Sequence, residues 1–155
     1  MNKKILFGLS VAVVAIVAIG TVSAIDFNLG SIFGPPPDQN VTLDGETFHI
    51  PGTFKENTNV TKNATERDYY LFKSTEYAKG YQNETNFINI LIFDYENTQP
   101  DKDLINYNNG TAKNISGLKG FMYSDAVGYT FSYGKGNKVI SIQSDNEALI
   151  GPVIA

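Results

Sequence analysis

Phe87-Ile88-Asn89-Ile90-Leu91-Ile92-Phe93-Asp94-Tyr95 is the stretch that decides the fold. Successive side chains of a strand point to opposite faces. Here both sets are apolar: Ile88, Ile90 and Ile92 on one side, Leu91, Phe93 and Tyr95 on the other. That pattern marks a central strand buried on both sides, or a strand covered by a helix.

Downstream, Pro100-Asp101-Lys102-Asp103-Leu104-Ile105 reads as a helix start, with proline at its head and acids in its first turn. Asn108-Asn109-Gly110 stops it. Strands are expected at Thr111 to Ile115, Leu118 to Ser124, Val127 to Tyr133 and Lys138 to Gln143. Ser116-Gly117 and Gly134-Lys135-Gly136-Asn137 provide two of the turns. Asp145 is the expected cap of a short terminal helix beginning at Asn146. Upstream, Tyr69 to Tyr77 alternates as a strand, and the polar stretch from Thr53 to Arg67 reads as a loop. Val41 to Leu43 and Glu46 to Ile50 flank Asp44-Gly45, a hairpin signature. The order β-β-β-β-α-β-β-β-β-α predicts an α+β domain with one curved antiparallel β-sheet and one or two short helices packed on one face. A small β-sandwich is the alternative.

The amino-terminal part has a different composition. Met1-Asn2-Lys3-Lys4 precedes 21 uncharged residues, Ile5 to Ile25. As a helix this run spans about 31 Å, close to the hydrocarbon thickness of a bilayer. Lysines before it and Asp26 after it place the following residues outside the cell. The run reads either as an uncleaved membrane anchor or as a secretory signal cut after Val22-Ser23-Ala24. Residues 26–40 contain Gly30, Gly34 and Pro35-Pro36-Pro37, and read as a stiff spacer. The expected division is therefore 1–25 signal or anchor, 26–40 spacer, and 41–155 an extracytoplasmic β-rich domain.

Composition removes several chemistries. The 155 residues include no Cys, no Trp and one His. Disulfides, thiolate catalysis, Cys-ligated metals and multi-His metal sites are excluded. A pI near 4.9 argues against a nucleic-acid partner. Without Lys3 and Lys4 the chain carries 10 basic and 16 acidic side chains, a net charge of −6.

Asn-x-Ser/Thr occurs six times, at Asn40, Asn59, Asn63, Asn83, Asn109 and Asn114. Chance at this composition gives about two such acceptor sites. Asn59, Asn63 and Asn83 are the expected glycan acceptors, because they sit in polar stretches that read as surface loops.

Three segments carry a resemblance. They are Leu43-Asp44-Gly45-Glu46-Thr47-Phe48-His49-Ile50-Pro51-Gly52-Thr53-Phe54, Ile115 to Phe121, and Tyr129 to Val139. Together they resemble short, exported, uncharacterised proteins of methanogenic archaea. The resemblance spans most of 41–143 and implies an archaeal surface location. It implies no reaction. By element order the domain also resembles the PsbP-like α+β type, a likeness of fold that carries no function.

Few groups suggest catalysis. His49 alternates with Phe48 and Ile50 and reads as structural. Asp94, Glu96, Asp101 and Asp103 offer oxygen ligands without the spacing of a calcium loop, and Lys102 opposes a cation. No metal or cofactor is expected. Tyr129, Phe131 and Tyr133 share one strand face and are the candidate aromatic binding patch. Phe121 and Tyr123 share another face. Gly134-Lys135-Gly136 is a hairpin turn and not a phosphate loop. The expected function is a non-enzymatic, surface-tethered domain that binds a cell-surface protein or glycan or serves as envelope structure. Its membrane attachment would be residues 5–25 if these are uncleaved. The alternatives are an extracytoplasmic hydrolase using Asp94, Glu96 and Asp125, and an accessory subunit of a membrane complex.

Overall fold

The structure is a computed structural model that describes residues 34–69 and 72–154. The expected signal or anchor (1–25) and most of the expected spacer lie outside the described residues. Among the described residues, no helix is long and apolar enough to cross a membrane.

The strands are β1 (Gln39–Leu43), β2 (Glu46–Ile50), β3 (Lys55–Glu56), β4 (Lys62–Tyr69), β5 (Phe72–Gln82) and β6 (Phe87–Asp94). One helical turn, α1 (Lys102–Ile105), follows. Then come β7 (Thr111–Ile115), β8 (Leu118–Ser124), β9 (Tyr129–Lys135) and β10 (Lys138–Ser144). A 3-10 turn over Glu147–Leu149 leads into α2 (Ile150–Val153).

β6 is central, as its apolar residues on both faces require. It pairs antiparallel with β5 on one side and β10 on the other. The eight-stranded sheet runs β3-β5-β6-β10-β9-β8-β7, with β4 sharing the outer edge of β5 with β3. All its pairs are antiparallel. β1 and β2 form a separate two-stranded sheet. The architecture is thus mostly β, with one open antiparallel sheet and short helical pieces. Among the described residues it is not a balanced sandwich, because the second layer has two strands.

Each face of the large sheet is covered differently. On one face Ile88, Ile90, Ile92, Ile140 and Ile142 are fully buried with Phe131 under the β1–β2 hairpin and α2. Phe48 and Ile50 supply the hairpin's apolar side, and Ile150 and Val153 that of α2. On the other face Leu91, Phe93 and Val139 pack with Tyr95 and Tyr107, and Leu104 and Ile105 of α1 close over them. Phe93 meets Tyr107 edge-on, with ring centroids 6.3 Å apart. α1 approaches so closely that a Cβ at Gly134 of β9 would stand 2.7 Å from Ile105.

Local signals act as read in several places. Asp44 and Gly45 both have positive φ, 46° and 76°, as a two-residue hairpin turn requires. Ser116 and Gly117 repeat this at 51° and 82°. Asp101 caps α1 by accepting from the Leu104 amide at 2.8 Å.

Three expectations are corrected. The stretch from Thr53 to Arg67 is not one loop. It contains β3 and most of β4, an edge strand of polar residues that periodicity could not single out. Asn146, not Asp145, caps the terminal turn, accepting from the Ala148 amide at 3.1 Å. Asp145 accepts from the Phe87 amide instead, at 3.1 Å. The proline run also belongs partly to the domain. The carbonyls of Pro36 and Pro37 lie against Gly52, where a Cβ would come within 2.4 Å of both.

The second face buries polar groups as well. Tyr107 meets the Ser141 hydroxyl at 3.2 Å, and Ser141 meets Ser132 at 2.8 Å. Asn89 donates to Gln143 at 3.1 Å. Glu76, only 1% exposed, accepts from Arg67 Nε at 2.7 Å across the β4–β5 pair. Removing one partner of a buried ion pair strands the other charge and costs about 3–5 kcal/mol. Arg67 is itself 35% exposed, so Arg67→Met is expected to destabilise the domain by less than that, about 1–3 kcal/mol in urea unfolding. Adding Glu76→Gln to Arg67→Met is expected to restore much of the loss.

Candidate functional site

The site is a polar cleft at the end of the β5–β6 hairpin. Its first wall begins at β3, whose residues Lys55 and Glu56 pair with Gln82 and Tyr81 of β5. The chain then turns. The Asn57 amide donates to the Gly80 carbonyl at 2.7 Å, and the amides of Val60 and Thr61 donate back to the Asn57 carbonyl. Asn57 Oδ1 accepts from the Asn59 amide at 3.1 Å. Val60, 7% exposed, anchors the turn over Gly80, where any Cβ would lie 2.6 Å from its own.

The second wall is the β5–β6 turn. Asn83 Oδ1 accepts from the Thr85 amide at 2.9 Å, the Thr85 hydroxyl at 3.3 Å and the Asn86 amide at 2.7 Å. This closed side-chain turn holds residues 83–86 in place. Asn57 Nδ2 donates to Gln82 Oε1 at 2.8 Å and joins the two walls.

Between the walls lies an open cleft of about 720 Å³, lined by residues 53, 55–59 and 82–85. Four of its side chains are amides and three are hydroxyls; Lys55, Glu56 and Glu84 supply the charges. The Glu56 carboxylate accepts from the Thr61 hydroxyl at 2.8 Å and lies 4.0 Å from Lys79 Nζ. Each amide both donates and accepts, so this lining suits an uncharged ligand that carries many hydroxyls.

A second charged cluster pins the β1–β2 hairpin to the sheet. Lys138 Nζ lies 2.9 Å from Asp44 Oδ2 and 4.0 Å from Glu46 Oε1, and also donates to the Asp44 carbonyl. Lys135 binds Glu46 at 2.6 Å. Burial alone would lower the Lys138 pKa, but the hydrogen bond and charge of Asp44, with Glu46 and Asp94, raise it above its ordinary value. Tyr77 beside them is raised by burial and by Asp44 and Asp94. Burial and the Glu46 charge push Tyr133 up to about 12, and burial and the Glu56 charge push Tyr81 up to about 12.

The sequence-predicted residues are distributed otherwise. Phe131 is fully buried and Tyr133 is 5% exposed, stacked on each other at 5.7 Å. Tyr129 packs half-buried against the same core. The row expected as a binding patch faces the hairpin and α2, so it serves the core and presents no open aromatic surface. Phe121 and Tyr123, on the opposite face, are half-exposed. Lys102 Nζ stands 5.8 Å from the Phe121 ring centre. His49 is half-exposed on β2, between the buried Phe48 and Ile50.

Asp94 accepts from the Glu96 amide at 2.8 Å and from Asn137 Nδ2, closing a turn. Asp101 and Asp103 are exposed at α1. Among the described residues, no group of three or more His, Cys, Asp or Glu side chains is placed to hold a metal ion. Of the hydrolase suspects, Asp94 and Glu96 share one turn and Asp125 is parted from them. Asp94 lies level with Lys138 at one end of β10, whereas Asp125 follows Ser124, level with Ser144 at the other end. The distance between those ends is about 20 Å, beyond the reach of a carboxylate pair.

Of the expected acceptors, Asn59 and Asn63 are exposed and Asn83 is half-buried. Asn59 and Asn83 both line the cleft. Sequence reasoning missed the cleft because its walls are about 25 residues apart and joined only by the β3–β5 pairing. No protein-family model, curated protein or solved structure matches the chain.

The raised groups make a pH prediction with a definite sign. A group whose pKa is higher folded than unfolded stabilises fully below its unfolded pKa and loses that contribution as pH rises through the folded value. Lys138, Tyr77, Tyr81 and Tyr133 all act in this direction. The urea midpoint is expected to be insensitive to their titration up to about pH 9 and to fall steeply above about pH 10. Lys138→Met is expected to lower the midpoint at pH 7 and to flatten the alkaline fall.

Proposed function

We propose that the protein is an exported, surface-tethered, non-catalytic domain whose polar cleft binds a glycan of the cell envelope. Residues 5–25 support the export reading through their uncharged length and flanking lysines. The cleft between residues 53–59 and 82–85 is the observation that carries the binding reading. Its amides and hydroxyls match hydroxyl-rich ligands, and its internal hydrogen bonds hold several of them in place before any ligand arrives. Asp125 stands at the opposite end of the sheet from Asp94 and Glu96, so the three candidate carboxylates do not form one site.

Two measurements test this. Intact mass of the protein from separated membrane and medium fractions reports on export. A membrane species retaining residues 1–25 supports an anchor, and a released species beginning near Ile25 supports a signal. Either is an exported protein, whereas a species confined to the cytoplasm overturns the reading. Binding is tested by calorimetry with solubilised envelope polysaccharide. Gln82→Ala removes the side chain that joins the two walls and is expected to weaken binding about tenfold, the loss of roughly one well-placed hydrogen bond. Affinity unchanged by Gln82→Ala, or no heat with the native domain, overturns the cleft as the site.

A further inference from the structure

The positions of the acceptor asparagines in the sheet point to a use for them. Three of the six sequons, those of Asn59, Asn83 and Asn109, begin in turns. The other three begin on strands: Asn40 on β1, Asn63 on β4 and Asn114 on β7. Among the described residues each of these strands has a paired neighbour on one side only. The interior strands β5, β6, β8, β9 and β10 carry no sequon. All three strand acceptors are exposed.

An open edge is a template for pairing with another chain. Charge usually guards such edges, but here three of the edge charges lie against opposite charges of the same chain. On β7, Lys113 pairs with Glu147. On β4, Arg67 pairs with Glu76, and Asp68 faces Lys73 at 3.8 Å. The β4 charges also alternate in sign, Lys62, Glu66, Arg67 and Asp68, so two copies of this edge can match rather than repel. β7 is exposed at four of its five positions, and its fifth, Ile115, is half-buried. The β4 ladder is interrupted between Lys62 and Thr65, at Asn63 itself. The Thr65 hydroxyl there donates to the Asn63 carbonyl at 3.1 Å. A bulge of this kind turns an edge residue out of the ladder.

We propose that Asn63 and Asn114 carry N-linked glycans that shield the two outer edges of the large sheet and prevent edge-to-edge association of copies of this chain. The inference rests on the export reading and goes beyond the cleft. In the transfer, performed by a separate enzyme, the asparagine Nδ2 attacks the anomeric carbon of a lipid-linked glycosyl pyrophosphate. A carbon–nitrogen bond forms, the carbon–oxygen bond to the pyrophosphate breaks, and the Nδ2 proton passes to a base of the transferase. The attached sugars obstruct a neighbouring strand from approaching the outer sides of β4 and β7.

The test uses protein purified from its native envelope. Glycopeptide mass spectrometry is expected to find sugar on Asn63 and Asn114. The double variant Asn63→Gln/Asn114→Gln, made in the same cells, is expected to self-associate at least about tenfold more strongly by concentration-dependent light scattering. The control variant Asn109→Asp, which removes an exposed turn acceptor outside the cleft, is expected to remain as monomeric as the native protein. Amide exchange is expected to slow in β4 or β7 of the associated species. Absence of glycan from both edge asparagines overturns the proposal, and so does a double variant that stays monomeric. In those cases the intact-mass result on membrane and medium fractions still judges the export reading separately.

Discussion

The pairing of β6 with β10 is the constraint on which the rest depends. Ile90 stands opposite Ile142, Ile92 opposite Ile140, and Leu91 opposite Ser141. Both faces of this ladder are buried, so the fold must supply a layer on each side. The hairpin and α2 provide one layer, and α1 with its flanking segment provides the other. A fully buried aliphatic side chain is worth about 1.5–3 kcal/mol. Two short layers over several such residues therefore suffice for a domain that has no disulfides.

The two layers are held by different physics. Over the first face the contacts are nearly all apolar, and polar restraint comes at the rim, where Lys138 and Lys135 hold the Asp44-Gly45 turn and Glu46. The second face mixes aromatic packing with hydrogen-bonded polar groups. Tyr107, Ser141 and Ser132 form a chain, and Glu76 is offset by Arg67. Such groups cost free energy unless paired, so they restrict how α1 and β4 can sit. That restriction favours one arrangement over sliding alternatives.

Much of the fold was legible in the residues, and little of the site was. The double apolar pattern of residues 87–95 placed β6 correctly at the centre, and Asp44-Gly45 and Ser116-Gly117 marked their hairpins. β4 was not legible because an edge strand buries too little to show period-two alternation. The Tyr129–Phe131–Tyr133 row was legible as a strand face, but sequence could not say whether that face was covered. The cleft escaped because Asn57, Gln82 and Asn83 share no local pattern. They meet only because a two-residue strand closes onto the end of β5.

The sequence by itself determined the local geometry: which residues turn, where α1 begins, which strand must be central, and which chemistries are missing for want of Cys and further His. These follow from φ/ψ preferences, capping and side-chain periodicity, which act within a few residues. Only the tertiary structure decided the order β5-β6-β10-β9, which aromatic face is covered, and which strands remain at the edges. Among the described residues it also decided that three sequons fall on strands paired on one side and two line one cleft. Those outcomes depend on non-local burial summed over the whole sheet, and a short window of sequence does not contain that sum.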